Sequence, residues 1–256
     1  MTDSEEPHID ADVIIIGAGL AGLTAAYKIL SREPSLNVII LESSKDVGGR
    51  YRTIQMVTKN KRRSSFEVAS QWINTDQHDL LELLEELEIP FVSTVIQGSV
   101  IKEWNGTEVC KHRLGMLSGL TLSEQLELAH FLVKTWDRAT IRNLASITFQ
   151  EFIDQNLSSD NVKCFIEYVV LINCAVPPDK ISAFFYIFYC ISNRSLVDQM
   201  VSEKGTNRYR IKQTHKNLCE KLAEKIDPTI IFLGEPVLKI GVSKKFVKVV
   251  TIYDCL

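Results

Sequence analysis

Six residues near the start of the chain, Gly17-Ala18-Gly19-Leu20-Ala21-Gly22, leave it few folds to choose from. They follow a short apolar, β-branched run at Asp12 to Ile16, and they open a segment in which Leu23, Ala26, Tyr27 and Leu30 recur at helical spacing. That spacing predicts a helix over Leu20 to Ser31 with one face turned inward. A second apolar run, Asn37 to Leu41, ends in Glu42. The order is strand, helix, strand. Neither strand alternates apolar with polar residues, so both are expected to be covered on both sides, as parallel strands of a doubly wound sheet are.

The G-x-G-x-x-G spacing has a physical reading in that position. Gly17 permits the tight turn, Gly19 lets backbone come close to a pyrophosphate, and Gly22 lets helix and strand pack tightly. Free amides and the positive end of the helix dipole then face the phosphate oxygens. Glu42 stands 20 residues after Gly22, at the end of the second strand, where a carboxylate accepts hydrogen bonds from a ribose and disfavours a 2′-phosphate. Ser43 belongs to the same candidate site. Lys45-Asp46-Val47-Gly48-Gly49-Arg50 follows at once: its paired glycines let backbone lie against a ligand, and Arg50 can fork onto a phosphate.

Further along, Leu80, Leu83, Leu84 and Leu87 mark an amphipathic helix with Glu82, Glu85, Glu86 and Glu88 on its wet side, ended by Pro90. Thr121 lies three residues before Glu124, a capping-box spacing, and opens a helical block through Leu122, Leu126, Ala129, Val133 and Trp136. Shorter helical pieces are expected at Phe149 to Ile153 and Val162 to Val170, then a break at Pro177-Pro178 and a buried helix over Ile181 to Ile191. Leu218, Leu222 and Ile226 continue a helix from Thr214. Strands are expected at Thr229 to Leu233, Val237 to Ile240 and Phe246 to Ile252. With 256 residues, this is an α/β chain: a Rossmann-like domain with a parallel sheet (1–79 and 206–256), interrupted by a mainly helical insertion (80–205).

Other chemistries find little support. The 29 basic and 32 acidic residues give a formal charge of −3, which advertises neither nucleic acid nor an anionic surface. The six cysteines, at 110, 164, 174, 190, 219 and 255, form no C-x-x-C pair, and the five histidines show no metal-ligand spacing, so no metal is expected. There is no G-x-S-x-G. The basic loop Lys59-Asn-Lys-Arg-Arg63 reads as solvated, Asn105-Gly-Thr is a glycosylation acceptor without a secretory signal beside it, and Tyr253-Asp-Cys-Leu256 has its cysteine in the wrong place for prenylation. These features read as a soluble cytoplasmic chain.

The sequence resembles the flavin monoamine oxidase family. The resemblance rests on D-V-I-I-I-G-A-G-L-A-G-L-T-A-A-Y at 12–27, L-E-S-S-K-D-V-G-G-R-Y-R-T at 41–53 and F-E-V-A-S-Q-W-I at 66–73. It continues in T-F-Q-E-F-I-D at 148–154, V-P-P-D-K-I-S-A-F-F-Y-I-F-Y at 176–189 and E-P-V-L-K-I at 235–240. It implies FAD as cofactor, with Gly17, Ala18, Gly19 and Gly22 around the diphosphate, Glu42 on the adenosine ribose, and Gly48, Gly49 and Arg50 continuing around the diphosphate. The backbone of Val237 would meet the adenine. It also implies that the aromatic helix at 184–189 walls an amine cavity, that Gln71 and Trp72 lie near the flavin ring, and that the insertion is a substrate domain.

Two positions depart from the family pattern: Ala69 and the pair Gln213-Thr214 stand where glycines are usual, and added side chains there would crowd the ring. Family chains are also about twice as long. Their second half supplies a lysine near flavin N5, an aromatic pair framing the amine, the closing flavin segment and a membrane-anchoring tail, the last implying the mitochondrial outer membrane for a full-length relative. The implied reaction is oxidation of an amine with oxygen as acceptor and hydrogen peroxide as product, and catalytic residues are not identifiable in this chain. The alternative is a catalytically incomplete fragment or short isoform that binds FAD, adenine nucleotide or a protein partner without turnover. A nicotinamide-binding module leaves V-G-G-R without a role. Because the last strand lies at the end of the sequence, its unpaired backbone also invites a homo-oligomer or strand pairing at a sheet edge.

Overall fold

The computed structural model describes residues 9–94, 100–104, 108–112, 119–135, 144–193, 195–196 and 208–252, with the side chains of 100–104 and 108–112 not described. Trp136, the Asn105 acceptor and the terminal residues 253–256 lie outside them. In chain order the strands are β1 (Val13–Ile16), β2 (Val38–Glu42), β3 (Thr53–Val57), β4 (Arg63–Glu67), β5 (Phe91–Ser93), β6 (Val100–Trp104), β7 (Glu108–His112), β8 (Tyr209–Ile211), β9 (Ile231–Leu233), β10 (Val237–Val242) and β11 (Val247–Thr251). The α-helices are α1 (Leu20–Arg32), α2 (His78–Glu86), α3 (Leu122–Lys134), α4 (Phe149–Asn156), α5 (Asp160–Cys174), α6 (Ala183–Ser192) and α7 (His215–Lys225).

The chain divides into two compact units, residues 1–71, 78–92 and 211–256 in one and 72–77 and 93–210 in the other. In the first, β1, β2 and β9 form a parallel sheet in the order β1-β2-β9, with Val13 opposite Val38 and Ile40 opposite Ile231. β2 is central and all five of its residues are buried, as its unbroken apolar run requires. β1 departs from expectation in its burial: among the described residues it lies at the edge of this sheet, and Ile16 is 51% exposed. β9 starts at Ile231 rather than Thr229, because Asp227 caps a short 3₁₀ turn over Pro228–Ile230 and keeps those residues out of the ladder. The sequence reading begins the insertion at residue 80, whereas α2 clusters with the Rossmann-like unit. Glu86 there accepts from the Tyr27 hydroxyl and is ion-paired with Lys28, both on α1.

The second unit is built on side-chain packing. Phe131, Phe149, Phe152 and Tyr186 meet in its core, with the Phe149 and Tyr186 rings 4.5 Å apart. Thr121 and Glu124 form the capping box that their spacing predicts, and Thr148 and Glu151 form a second one at the start of α4. Ser159 caps α5, and Ala175, at φ +56°, ends it in the left-handed region. β6 and β7 add an antiparallel hairpin that the helical reading of this region leaves out.

Candidate functional site

The turn from β1 into α1 is dictated by backbone crowding. Gly17 adopts φ +100°, a conformation open chiefly to glycine, and its amide donates to the Leu41 carbonyl at 2.7 Å, tying the turn to β2. A Cβ on Gly22 would stand 2.0 Å from the Gly17 carbonyl oxygen, so no side chain fits there. Gly19 is the N-cap of α1 and has no side chain with which to cap it. The first-turn amides of Leu20, Ala21 and Gly22 consequently lack intrahelical acceptors and add to the positive end of the helix.

The second glycine turn rests directly on the first. Gly48 donates its amide to the Ala18 carbonyl at 2.9 Å and forms a parallel bridge with Gly19, while a Cβ on Gly49 would lie 3.3 Å from Gly19 Cα. Gly48 and Gly49 both have positive φ, +116° and +57°. Arg50, next in the chain, is exposed, and among the described residues it has no hydrogen bond or ion pair. Two backbone turns in contact and three unfilled amides make a cradle able to take an anion, and the uncommitted Arg50 follows the second turn in the chain.

Glu42 sits at the carboxyl end of β2 and is 6% exposed. Its Oε2 accepts from the Ala18 amide at 2.7 Å, and its Oε1 accepts from the Ser44 amide at 2.7 Å and the Ser43 hydroxyl at 3.2 Å. Burial pushes this carboxyl up. The amides of Ser44 and Ala18 and the hydroxyls of Ser44 and Ser43 outweigh it and hold the carboxyl below the usual carboxylate value. Each carboxylate oxygen takes about two donors, so one acceptor position remains on Oε2. The Ala18 amide, however, is spent on Glu42 and is not among the donors free for a phosphate. Val237 is brought to the same strand end: Gly234 donates to the Ser44 carbonyl at 2.9 Å and Glu235 to the Glu42 carbonyl at 2.8 Å, and Val237 packs against the Ile39 and Leu41 cluster.

Beneath the second turn lies a cluster that the motif reading misses. The Tyr51 amide donates to the Gly48 carbonyl at 3.0 Å, and the Tyr51 ring stacks on His215, centroids 5.1 Å apart. His215 is 1% exposed, its Nδ1 lies 2.9 Å from Glu67 Oε1, and its amide also donates to that carboxylate. Lys216 pairs with Asp46, ahead of the turn. Thr214 is buried and caps α7 through Asn217. The signal was present as T-x-x-N at 214–217, a capping pattern in a place expected to hold glycine.

A model of the NAD(P)-binding Rossmann-like domain matches residues 15–87. A probable flavin-containing monoamine oxidase A of Dictyostelium discoideum is 24% identical over 244 residues, covering 90% of this chain and 51% of that protein. Putrescine oxidase of Kocuria rosea is 26% identical over 253 residues, covering 93% and 51%. The solved structure of putrescine oxidase bound to putrescine superposes with a TM-score of 0.80 at 20% identity, covering 96% of this chain and 56% of that one. The chain is similar to flavin-containing amine oxidases over most of its length. It spans about half the length of the relatives it matches.

Residues outside the cradle are more exposed. Helix α6 buries Tyr186, Ile187 and Cys190, but Phe184, Phe185 and Phe188 are 43%, 54% and 59% exposed, so the aromatic run is only half core. Trp72 is 41% exposed and is not a core residue. Ala69 and Gln213 are exposed, and Thr214 is turned into its cap. Among the described residues no cluster of His, Cys, Asp or Glu is arranged to hold a metal, and no helix is long and apolar enough to cross a membrane.

Proposed function

We propose that the Rossmann-like unit holds FAD and that the protein works in the oxidation of amines with oxygen as acceptor. The contact of the second glycine turn on the first carries the reading. A nicotinamide site needs only the Gly17–Gly22 turn, whereas Gly48, Gly49 and Arg50 extend the cradle along a longer diphosphate-bearing cofactor. In this reading Gly17, Gly19, Gly22, Gly48 and Gly49 give the diphosphate a close backbone approach, and Ala18 contributes its position rather than its amide. Arg50 pairs with a phosphate, Glu42 with Ser43 beside it holds the ribose, and Val237 borders the adenine. The Rossmann-like unit, residues 1–71, 78–92 and 211–256, is the FAD domain, and residues 72–77 and 93–210 are the substrate domain. FAD, when bound, supplies a two-electron acceptor that takes hydride from an amine α-carbon and passes the electrons to oxygen as hydrogen peroxide. The names of the relatives, a monoamine oxidase and a putrescine oxidase, support an amine as substrate.

Purified 256-residue protein, freed of unbound FAD, is expected to show a flavin absorption spectrum or to regain one on reconstitution. Colourless protein that takes up no flavin overturns the reading. Peroxide release across an amine panel then separates turnover from flavin binding alone. The second reading, binding without turnover, is favoured by the half-exposed aromatic face of α6, which leaves an amine wall unenclosed among the described residues.

A further inference from the structure

The hairpin β3–β4 plays no part in the cradle and is rich in cations. From Thr53 to Phe66 it contains four cations, Lys59, Lys61, Arg62 and Arg63, and no carboxylate, in a chain whose formal charge is −3. All four are exposed, and among the described residues none is ion-paired. The turn that presents them is closed: the Thr58 amide donates to the Arg62 carbonyl and the Lys61 amide to the Thr58 carbonyl, each at 2.8 Å. The strand register places Ile54 opposite Phe66 and Met56 opposite Ser64, so Ile54, Met56 and Phe66 share one face. These three are 43%, 50% and 43% exposed, and Val57, at the tip, is 67% exposed. Glu67 lies on the opposite face and is engaged by His215.

We propose that this hairpin docks the protein on an anionic phospholipid surface, its cations against the headgroups and the Ile54–Met56–Phe66 face at the acyl boundary. An uncompensated cluster of cations selects an anionic partner, and each cation near such a surface raises partition about fivefold. The aliphatic surface beside it selects a partner with an apolar phase. A nucleic acid offers phosphates and base faces, and Phe66 is the hairpin's lone aromatic residue from Thr53 to Phe66, so a stacking platform is absent. The proposal does not depend on flavin binding.

Cosedimentation of the 256-residue protein with vesicles tests it, using phosphatidylcholine alone and phosphatidylcholine with about 30 mol % phosphatidylserine. The expected result is binding to the anionic vesicles that weakens with salt and is at least about tenfold weaker on phosphatidylcholine. Combined Lys59→Ser, Lys61→Ser, Arg62→Ser and Arg63→Ser should lower partition at least about tenfold, and Ile54→Ser with Phe66→Ser should lower it at constant charge. Circular dichroism establishes that each variant folds; if the fourfold variant does not, Arg62→Ser alone should still weaken binding. The proposal is overturned by absence of binding to anionic vesicles, equal binding to both vesicle types, or pelleting without vesicles. Tighter binding to an oligonucleotide overturns it too.

Discussion

The two units reach order by different physical routes. In the helical unit the geometry is held by side chains: Phe149 is fully buried against Phe131, Phe152 and Tyr186, and capping boxes start α3 and α4. In the cradle it is held by the absence of side chains, since Gly22 faces backbone at a distance that leaves no room for a Cβ and Gly49 at one that leaves it a tight fit. Damage to the first is therefore expected to appear as lost stability alone, and damage to the second to remove ligand binding even in the protein that stays folded.

Phe149→Ala should break the comparison on the stability side, costing roughly 3 to 5 kcal/mol by lost burial and cavity formation. Denaturant melts read that loss, and flavin affinity of the protein that remains folded should be unchanged. A loss of affinity matching the loss of stability would mean that the two units do not behave separately. Gly22→Ala is the counterpart. Its Cβ would meet the Gly17 carbonyl oxygen at 2.0 Å, so the βα turn has to move, at a cost of about 3 kcal/mol or more. Flavin binding, followed by fluorescence quenching, should disappear even in the folded fraction.

How much of this was legible in the sequence follows from the same contrast. The β1–α1–β2 unit, the Glu42 position and the Thr121–Glu124 box were readable, because each depends on residues within a short span whose spacing encodes one geometry. The second capping box, Thr148 with Glu151, is equally local and has the same spacing. The β3–β4 hairpin was not readable as strand: its apolar residues are few, and its pairing is set by the turn at Thr58–Arg62 rather than by burial. Nor was the commitment of the Ala18 amide to Glu42, which requires residues 24 positions apart to meet. The cluster of Glu67 with His215 depends on a separation of 148 positions, for which periodicity carries no signal. Aromatic content correctly marked α6 as a helix with a core face, but composition does not tell which aromatics turn inward.

Arg50→Gln should sharpen the comparison without touching stability. The side chain is exposed and has no hydrogen bond or ion pair among the described residues, so the melting temperature should stay constant. A charge-assisted contact to a phosphate is worth about 1.5 to 3 kcal/mol, so flavin should bind roughly ten- to a hundredfold more weakly, with a reduced salt dependence. Unchanged affinity would remove Arg50 from the cradle and leave the helix end and glycine backbone to hold the diphosphate.

The smallest expected effect tests the helical unit through pH. Glu124 accepts from the Thr121 amide, the Ser159 hydroxyl, the Asn161 side-chain amide and the Thr121 hydroxyl, and these bonds lower its carboxyl to about 2. A carboxyl held below its unfolded value, about 4.3, contributes stability that is complete above that value and is lost as pH falls through the folded one. Glu124→Gln keeps the shape and removes the titration. The melting temperatures of wild type and variant should therefore differ most near neutrality and converge between about pH 4 and pH 2, while flavin affinity of the folded variant at neutral pH stays at the wild-type level. A difference that persists unchanged to low pH would mean that Glu124 acts through packing or neutral hydrogen bonds. Loss of flavin affinity in the folded variant would mean that the capping of α3 reaches the cradle, contrary to the division between side-chain order in one unit and backbone order in the other.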